Sequence, residues 1–379
     1  MKTCLKAIII SLFDYENFDS FYADETDIEM RNLASSANID ILNNNKIIIK
    51  VRTKTSKTYL SVGKIQEIKE EISLLSRDAQ AIVFNRDFNP TQQRNLEDAF
   101  ELKIISKTEL IYQIFLARCQ SKPAKIQLEL ANLKYLKTRL TGSYDNFDRI
   151  RGGIGLKGPG ETKLEVDRRT LSKRIHSLEK QLTEIEKNLK LRMDNRKSEI
   201  ILSLVGYTNA GKTSVLNLLT RSHQLSENEL FTTTDVKSKR MFIPPDSHII
   251  VSDTIGFIRD LPAHLVESFK TTLLEISVSS IIAIVVDSSS LFADEHIKIV
   301  LDMLETLRCS MITKIFIFNK IDLLPLDELT HLKQHIKKDI PDNPYFFIST
   351  KTKEGVDDLL QYLTFFVNNA TDCLSRVNK

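Results

Sequence analysis

The chain has no tryptophan, only 11 glycines in 379 residues, and four cysteines, Cys4, Cys119, Cys309 and Cys373, no two of which form a CxxC pair. Scattered single thiols argue against a zinc framework or a disulfide scaffold and fit reduced cysteines in a cytosolic protein. Long apolar runs are also missing. The N-terminal stretch Ala7 to Phe13 is broken at once by Asp14 and Glu16, so it reads as a strand. No other segment reaches the roughly 20 apolar residues that a membrane-spanning helix needs. Charge of one sign is scarce too, with 53 basic against 50 acidic side chains and a net charge of +3. No whole-chain basic field therefore points to a nucleic-acid partner, and any such argument must be local. The rest of the composition, 42% hydrophobic and 27% charged, is that of a soluble globular protein too long for one compact core. Two or three domains are expected.

Three textures follow one another along the chain. Residues 1–122 alternate strand candidates (6–13, 46–51, 79–85, 102–106) with helix candidates (25–37, 64–76, 90–100, 107–119), the pattern of a small α/β domain. Asn89 before Pro90 is a sensible start for the third helix. Residues 123–195 carry no strand signal. Leu164, Leu171, Ile175, Leu178, Leu182, Ile185 and Leu189 form a heptad stripe, and Ile126, Leu130, Leu133, Leu136 and Leu140 form a second one. Two compatible stripes in one chain suggest an antiparallel helical hairpin joined by 141–160; an intermolecular coiled coil is the alternative. Residues 198–366 return to α/β texture, with buried-strand runs such as Ile200 to Val205 and Ile281 to Val286 that suit a largely parallel sheet. A short tail, 367–379, follows.

The strand ending at Val205 leads into Gly206-Tyr207-Thr208-Asn209-Ala210-Gly211-Lys212-Thr213 and then a helix that begins with Ser214. This is the GxxxxGK[ST] phosphate loop in the setting it requires, with backbone N–H groups turned toward phosphate oxygens. Lys212 is placed to reach the β- and γ-phosphates, and the Thr213 hydroxyl to bind Mg²⁺. Downstream, Asp253-Thr254-Ile255-Gly256 follows a strand; Asp253 is suited to hold Mg²⁺ through water and the Gly256 N–H to contact the γ-phosphate. Asn319-Lys320-Ile321-Asp322 follows another, and the Asp322 carboxylate matches guanine N1–H and N2–H₂ while mismatching adenine. Ser349-Thr350-Lys351 fits the loop that packs on the base. In the stretch Phe231 to Asp235, Thr233 is the candidate switch threonine for Mg²⁺ and the γ-phosphate, with Thr232 and Thr234 as rivals that spacing does not separate. The order of these motifs predicts GTP and GDP as ligands, with Lys212, Thr233 and Gly256 serving the γ-phosphate chemistry.

Phe257 stands where Ras-like enzymes place a water-orienting glutamine. Phenylalanine makes no such hydrogen bond, so slow intrinsic hydrolysis awaiting a partner is expected. Asn209 has two equal readings. It resembles the potassium-coordinating asparagine of cation-activated GTPases, or it stabilises the loop turn.

Glycine is rationed. Six of the 11 lie at Gly142, Gly152, Gly153, Gly155, Gly158 and Gly160, and three more at Gly206, Gly211 and Gly256. From Lys137 to Arg174 there are ten basic and five acidic residues, a local net of +5. A glycine-rich tip with Arg149, Arg151 and Lys157 suits contact with RNA phosphates and exposed bases. A solvated loop between charged helix faces is the plainer alternative.

The run from Gly152 to Arg169, which reads GGIGLKGPGETKLEVDRR, resembles the signature of the HflX GTPases. So do Gln127 to Leu136, Asn89 to Glu97 and Asp253 to Ile258, in the family's order across nearly the whole chain. The resemblance implies a GTPase, cytoplasmic with peripheral membrane association left open, and monomeric off the ribosome. It implies binding to the large (50S) ribosomal subunit and its rRNA. It also implies that the glycine loop reaches toward the peptidyl-transferase region and that stalled or idle ribosomes are separated into subunits. It aligns Thr233 with the Mg²⁺ threonine and makes a hydrophobic residue usual at the Phe257 position. The sequence departs from the family at Tyr59-Leu60-Ser61-Val62-Gly63-Lys64, which has one glycine fewer, and in the acidic segment 14–30.

Overall fold

The computed structural model describes residues 4–16, 18–75, 78–142, 159–194, 199–222, 231, 237–244, 247–259, 276–339 and 343–377. They fall into two compact units, Met1–Ala117 with Lys125–Leu182, and Arg118–Ala124 with Thr183–Lys379. Thr232, Thr233 and Thr234, and the loop residues Arg149, Arg151 and Lys157, lie outside the described residues.

The first unit opens with β1 (Leu5–Asp14), α1 (Ser20–Ser36), β2 (Ile39–Ile41), β3 (Ile48–Val51), α2 (Val62–Leu75), β4 (Ala81–Phe84), α3 (Pro90–Phe100), β5 (Lys103–Ser106) and α4 (Lys107–Arg118). Every pairing in its sheet is parallel, in the order β2-β1-β4-β5, with β3 also beside β1. A parallel strand covered on both faces needs no polar alternation. Accordingly Ala7, Ile8, Ile9, Ile10 and Leu12 in β1 are all buried. The short β2 pairs with the first half of β1 and β3 with the second. Between them the Asn43 side chain stands in for a strand, accepting from Ile9 N at 2.9 Å and donating to Ile9 O at 3.0 Å. That side-chain ladder satisfies the central strand where β2 ends. The start of α3 is a reciprocal capping box. Asn89 Oδ1 accepts from Gln92 N at 2.8 Å, and Gln92 Oε1 accepts from Asn89 N at 3.2 Å.

Two long helices follow, α5 (Lys122–Gly142) and α6 (Pro159–Asp194), so regular helix enters both ends of the glycine-rich segment. Ile175 and Leu178 of the heptad stripe are buried. Arg174 makes a fork to Glu129 at 2.8 and 3.0 Å, and Lys134 pairs with Glu179 at 3.2 Å. Both ion pairs span the same offset of 45 positions, whereas along a strictly antiparallel seam the offset shrinks from pair to pair.

The second unit contains β6 (Ile201–Gly206), α7 (Lys212–Thr220), β7 (Lys237–Ile243), β8 (Ser247–Asp253), β9 (Ile281–Asp287), α8 (Ala293–Thr306), β10 (Thr313–Asn319), a 3₁₀ turn at Ile321–Leu323, α9 (Leu326–Asp339), β11 (Tyr345–Phe347) and α10 (Val356–Val377). Its six-stranded sheet has the order β11-β10-β9-β6-β8-β7, parallel except for the antiparallel edge strand β7. A core of Leu202, Leu204, Ile281, Ala283, Ile315 and Ile317 lies under α7 and α10 residues such as Leu216, Leu359 and Leu363. β7 carries Lys237, Lys239 and Arg240, the charged composition of a protected sheet edge, and so gives no buried-strand signal. The central strands β6, β8, β9 and β10 all point their carboxyl ends at one rim, where an open α/β sheet presents its ligand crevice.

Candidate nucleotide-binding site

The loop from β6 to α7 holds a lysine folded back on its own backbone. Lys212 Nζ donates to Gly206 O at 3.1 Å and Tyr207 O at 2.9 Å. Burial pushes its ammonium down to about 8, with the Asp253 carboxylate pulling the other way. At its side Thr213 Oγ1 donates to Asp253 Oδ2 at 2.7 Å, and the carboxylate is completely buried. Thr254 fixes the Asp253 end of β8 by donating from Oγ1 to Leu204 O at 2.8 Å. A second buried hydroxyl, Thr208 Oγ1, has no hydrogen-bond partner among the described residues. Asn209 takes the left-handed backbone, at φ 63°, a conformation that asparagine tolerates better than most residues. Ser214 is half-buried in the first turn of α7, and Phe231 is buried, also with positive φ.

The Asn319–Asp322 and Ser349–Lys351 motifs converge on this loop. Asn319 Nδ2 donates to Ala210 O at 3.1 Å, and Asn319 Oδ1 accepts from Thr350 N at 3.2 Å. Gly211 has φ 93°, and a Cβ there would lie 2.3 Å from Asn319 Nδ2. Glycine is thus required twice, by torsion and by the approach of the amide. Ser349 Oγ donates to Asp322 Oδ1 at 2.7 Å and accepts from Lys351 N and Thr352 N at 3.2 and 3.0 Å. Asp322 itself is exposed. Lys320, at φ 67°, pairs with Asp287 Oδ2 at 2.6 Å. Asp287 also accepts from Ser289 N and Ser289 Oγ through Oδ1, at 3.0 and 2.6 Å. Sequence reasoning missed Asp287. Its one signal is a carboxylate closing an uninterrupted apolar strand at the carboxyl end of the sheet.

Asp253-Thr254-Ile255-Gly256 lies against the phosphate loop. A Cβ on Gly256 would meet Thr208 Cγ2 at 2.9 Å and Lys212 Nζ at 3.0 Å, so a side chain there would displace both. The next residue forms a parallel bridge with Tyr207. Phe257 N donates to Gly206 O at 3.0 Å, and Thr208 N donates to Phe257 O at 2.8 Å. The Phe257 ring is buried, 2% exposed.

This arrangement suits a phosphorylated guanine nucleotide. A buried cation, loop amides and an orphaned hydroxyl at the β6–α7 loop have the chemistry that phosphate needs, and the exposed Asp322 carboxylate has the chemistry that guanine needs. It also fits Mg²⁺. Two hard oxygen donors, Thr213 Oγ1 and Asp253, adjoin each other, and no group of three or more His, Cys, Asp or Glu able to hold a metal occurs among the described residues. Magnesium characteristically takes one or two protein oxygens and completes its shell with phosphate and water.

Comparison with known proteins gives three adjoining family matches. Residues 24–116 match a family described as "GTP-binding GTPase N-terminal", residues 118–196 one described as "GTP-binding GTPase Middle Region", and residues 201–320 one described as "50S ribosome-binding GTPase". GTPase HflX of Caldanaerobacter subterraneus subsp. tengcongensis is 38% identical over 357 residues, 93% of this chain and 79% of that protein. GTPase HflX of Escherichia coli is 35% identical over 343 residues, 89% of this chain and 78% of that protein. The crystal structure of SsGBP in complex with GDP shares the fold at 23% identity and a TM-score of 0.53, covering 97% of this chain and 99% of that one. With GTPase motifs assembled around one phosphate loop and relatives of this identity along most of its length, the chain belongs to the HflX family of GTPases and is a GTP-binding, GTP-hydrolysing enzyme.

Proposed function

We propose that this GTPase is a switch acting on the large ribosomal subunit. In this reading it grips the subunit when GTP is bound, contributes to separating stalled or idle ribosomes, and leaves after hydrolysis. The observation that carries the reading is the match of residues 201–320 to the family described as a 50S ribosome-binding GTPase. The basic, glycine-rich segment 141–160, with Arg149, Arg151 and Lys157, supplies the chemistry for rRNA. The cell compartment that goes with this partner is the cytoplasm. No helix among the described residues is long and apolar enough to cross a membrane.

At the site, Asp322 reads guanine, held in place by Ser349, while Lys320 and the Ser349-Thr350-Lys351 loop border the base. Lys212 and the N–H groups of residues 207–213 bind the phosphates, and Gly256 N–H meets the γ-phosphate. Thr213, Thr233 and, through water, Asp253 hold Mg²⁺, which neutralises phosphate charge when bound. The buried Phe257 ring gives the attacking water no orienting hydrogen bond, so intrinsic hydrolysis is slow and a partner accelerates it. Asn209, at φ 63°, fits a turn-stabilising role and is equally the residue that a potassium ion would use.

The test is co-sedimentation with isolated large subunits. Binding with a non-hydrolysable GTP analogue and release with GDP are expected, and equal binding in both states overturns the switch. Phosphate release measured with and without subunits, in potassium and in sodium, tests the acceleration and the role of Asn209.

A further inference from the structure

The phosphate-loop tyrosine has a second set of contacts that the GTPase motifs do not require. The Tyr207 ring stacks on His296, with centroids 3.8 Å apart and planes 12° from parallel. Its hydroxyl oxygen accepts from Arg259 N at 3.0 Å. The Arg259 guanidinium in turn lies 2.5 Å from Glu295 Oε2, an ion pair by distance rather than an aligned hydrogen bond. Glu295 and His296 are neighbours in the first turn of α8. One helix turn therefore holds both the phosphate loop, through His296, and the segment just after Gly256, through Glu295. The Arg259 side chain is 11% exposed, whereas that of Glu295 is 47% exposed, so the outer partner of the pair remains accessible.

What this helix turn holds in place competes with a γ-phosphate. The Thr208 N–H, one of the loop amides that a phosphate oxygen needs, is given to Phe257 O. The Gly256 backbone comes so close to Lys212 that a Cβ there would sit 3.0 Å from Nζ. In a GTPase the γ-phosphate lies between the loop lysine and this glycine N–H. GTP must therefore loosen residues 256–259, whereas GDP, lacking the γ-phosphate, need not. A contact made only in the arrangement that excludes the γ-phosphate lowers GTP affinity relative to GDP by its own strength.

We infer that Glu295, acting through Arg259, is a positioning residue that holds segment 256–259 against the phosphate loop and biases the site toward GDP over GTP. The inference rests on the GTPase activity of the chain and goes beyond it by naming what sets its nucleotide preference. An exposed acidic residue as the outer half of the pair also gives a bound partner a handle for relieving the bias.

The experiment measures the affinities of fluorescent GDP and of a fluorescent non-hydrolysable GTP analogue for the wild type, Glu295→Ala, Arg259→Ala and the charge swap Arg259→Glu/Glu295→Arg. Each single variant is expected to bind the GTP analogue roughly one-and-a-half- to fivefold more tightly relative to GDP, the range of a partly exposed ion pair. GDP affinity should stay unchanged in Glu295→Ala, and the swap should return the ratio toward the wild-type value. An unchanged ratio, or parallel weakening of both nucleotides, overturns the inference; the second result is what a merely structural ion pair gives.

Discussion

Asn319 Nδ2 donates to the Ala210 carbonyl at 3.1 Å, so the Asn319–Asp322 motif and the phosphate loop form one hydrogen-bonded unit. The same side chain accepts from Thr350 N on the base loop. Asn319→Ala strands both of these backbone groups, at about 1–3 kcal/mol for a buried unpaired group. GDP and GTP affinity should therefore fall together, by roughly tenfold or more. Isothermal titration with both nucleotides checks this, and a loss confined to one of them would contradict the coupling.

Gly211→Ala adds a methyl where φ is 93° and Asn319 Nδ2 stands 2.3 Å away. Left-handed backbone costs a non-glycine residue about 1–2 kcal/mol before the clash is counted. The variant is expected to melt several degrees lower and to gain little from added GDP, because relieving the clash moves the amide that anchors Ala210. Thermal unfolding with and without GDP provides the readout. Full stabilisation by GDP would show that the loop absorbs the methyl.

Nucleotide binding is expected to depend on pH through Lys212. Burial lowers its pKa from 10.5 to about 8. The folded chain therefore binds fewer protons than the unfolded one between these values, and stability rises with pH across that window. Phosphate favours the charged form, so binding above pH 8 must take up a proton. Affinity is expected to fall as pH rises beyond 8, with uptake of roughly half a proton or more per nucleotide at pH 8.5. Titration calorimetry in buffers of different ionisation enthalpy measures that uptake. A value near zero would place the lysine pKa well above 8.

Asp322→Asn replaces an acceptor-only group, held by Ser349 Oγ at 2.7 Å, with an amide that also donates. The guanine N1–H and N2–H₂ then face a donor, while xanthine, with a carbonyl at C2, is matched. GTP affinity should fall by about two orders of magnitude or more, and binding of the xanthine nucleotide should rise. Competition between the two triphosphates decides it, and unchanged guanine preference would move base recognition away from Asp322.

The phosphate loop, Asp253 to Gly256, Asn319 to Asp322 and Ser349 to Lys351 were legible in the sequence because each is a short run whose residue types follow from phosphate or base chemistry. The strands of the first unit were legible for a different reason. Buried parallel strands leave mostly apolar runs such as Ala7 to Phe13, interrupted only by Ser11, but three residues such as Ile39 to Ile41 are too few to leave one. What stayed hidden depends on contacts distant in sequence. Asp287 pairs with Lys320 across 33 positions, and its place at the end of an apolar strand does not reveal that partner. The heptad stripe shows that Ile175 and Leu178 face something apolar, but not which residues of α5 lie opposite. Pairs such as Glu129 with Arg174 mark that alignment, and periodicity does not encode them. Tyr207 reads as a variable loop position, and its stacking on His296 appears only once α8 is in place.

Phe257 gives the sharpest separation between a missing catalytic group and a structural one. From the sequence it is only a residue that does not orient water. In the fold its ring is 2% exposed, and its backbone N and O bond to Gly206 O and Thr208 N. If the lack of a glutamine were the whole cause of the slow hydrolysis expected here, Phe257→Gln would accelerate it. The side chain at this position instead points into packed protein, so a glutamine there buries an amide and loses an aromatic ring. The expected result is a destabilisation of about 2–4 kcal/mol and an intrinsic GTPase rate no higher than that of the wild type. Phe257→Leu, which keeps the site apolar, should lose less stability and leave the rate unchanged. Denaturant unfolding and single-turnover phosphate release measure the two effects separately. A clear rise in the rate of the glutamine variant would mean that the ring leaves its pocket during turnover, and that the side chain at 257 takes part in the chemistry after all.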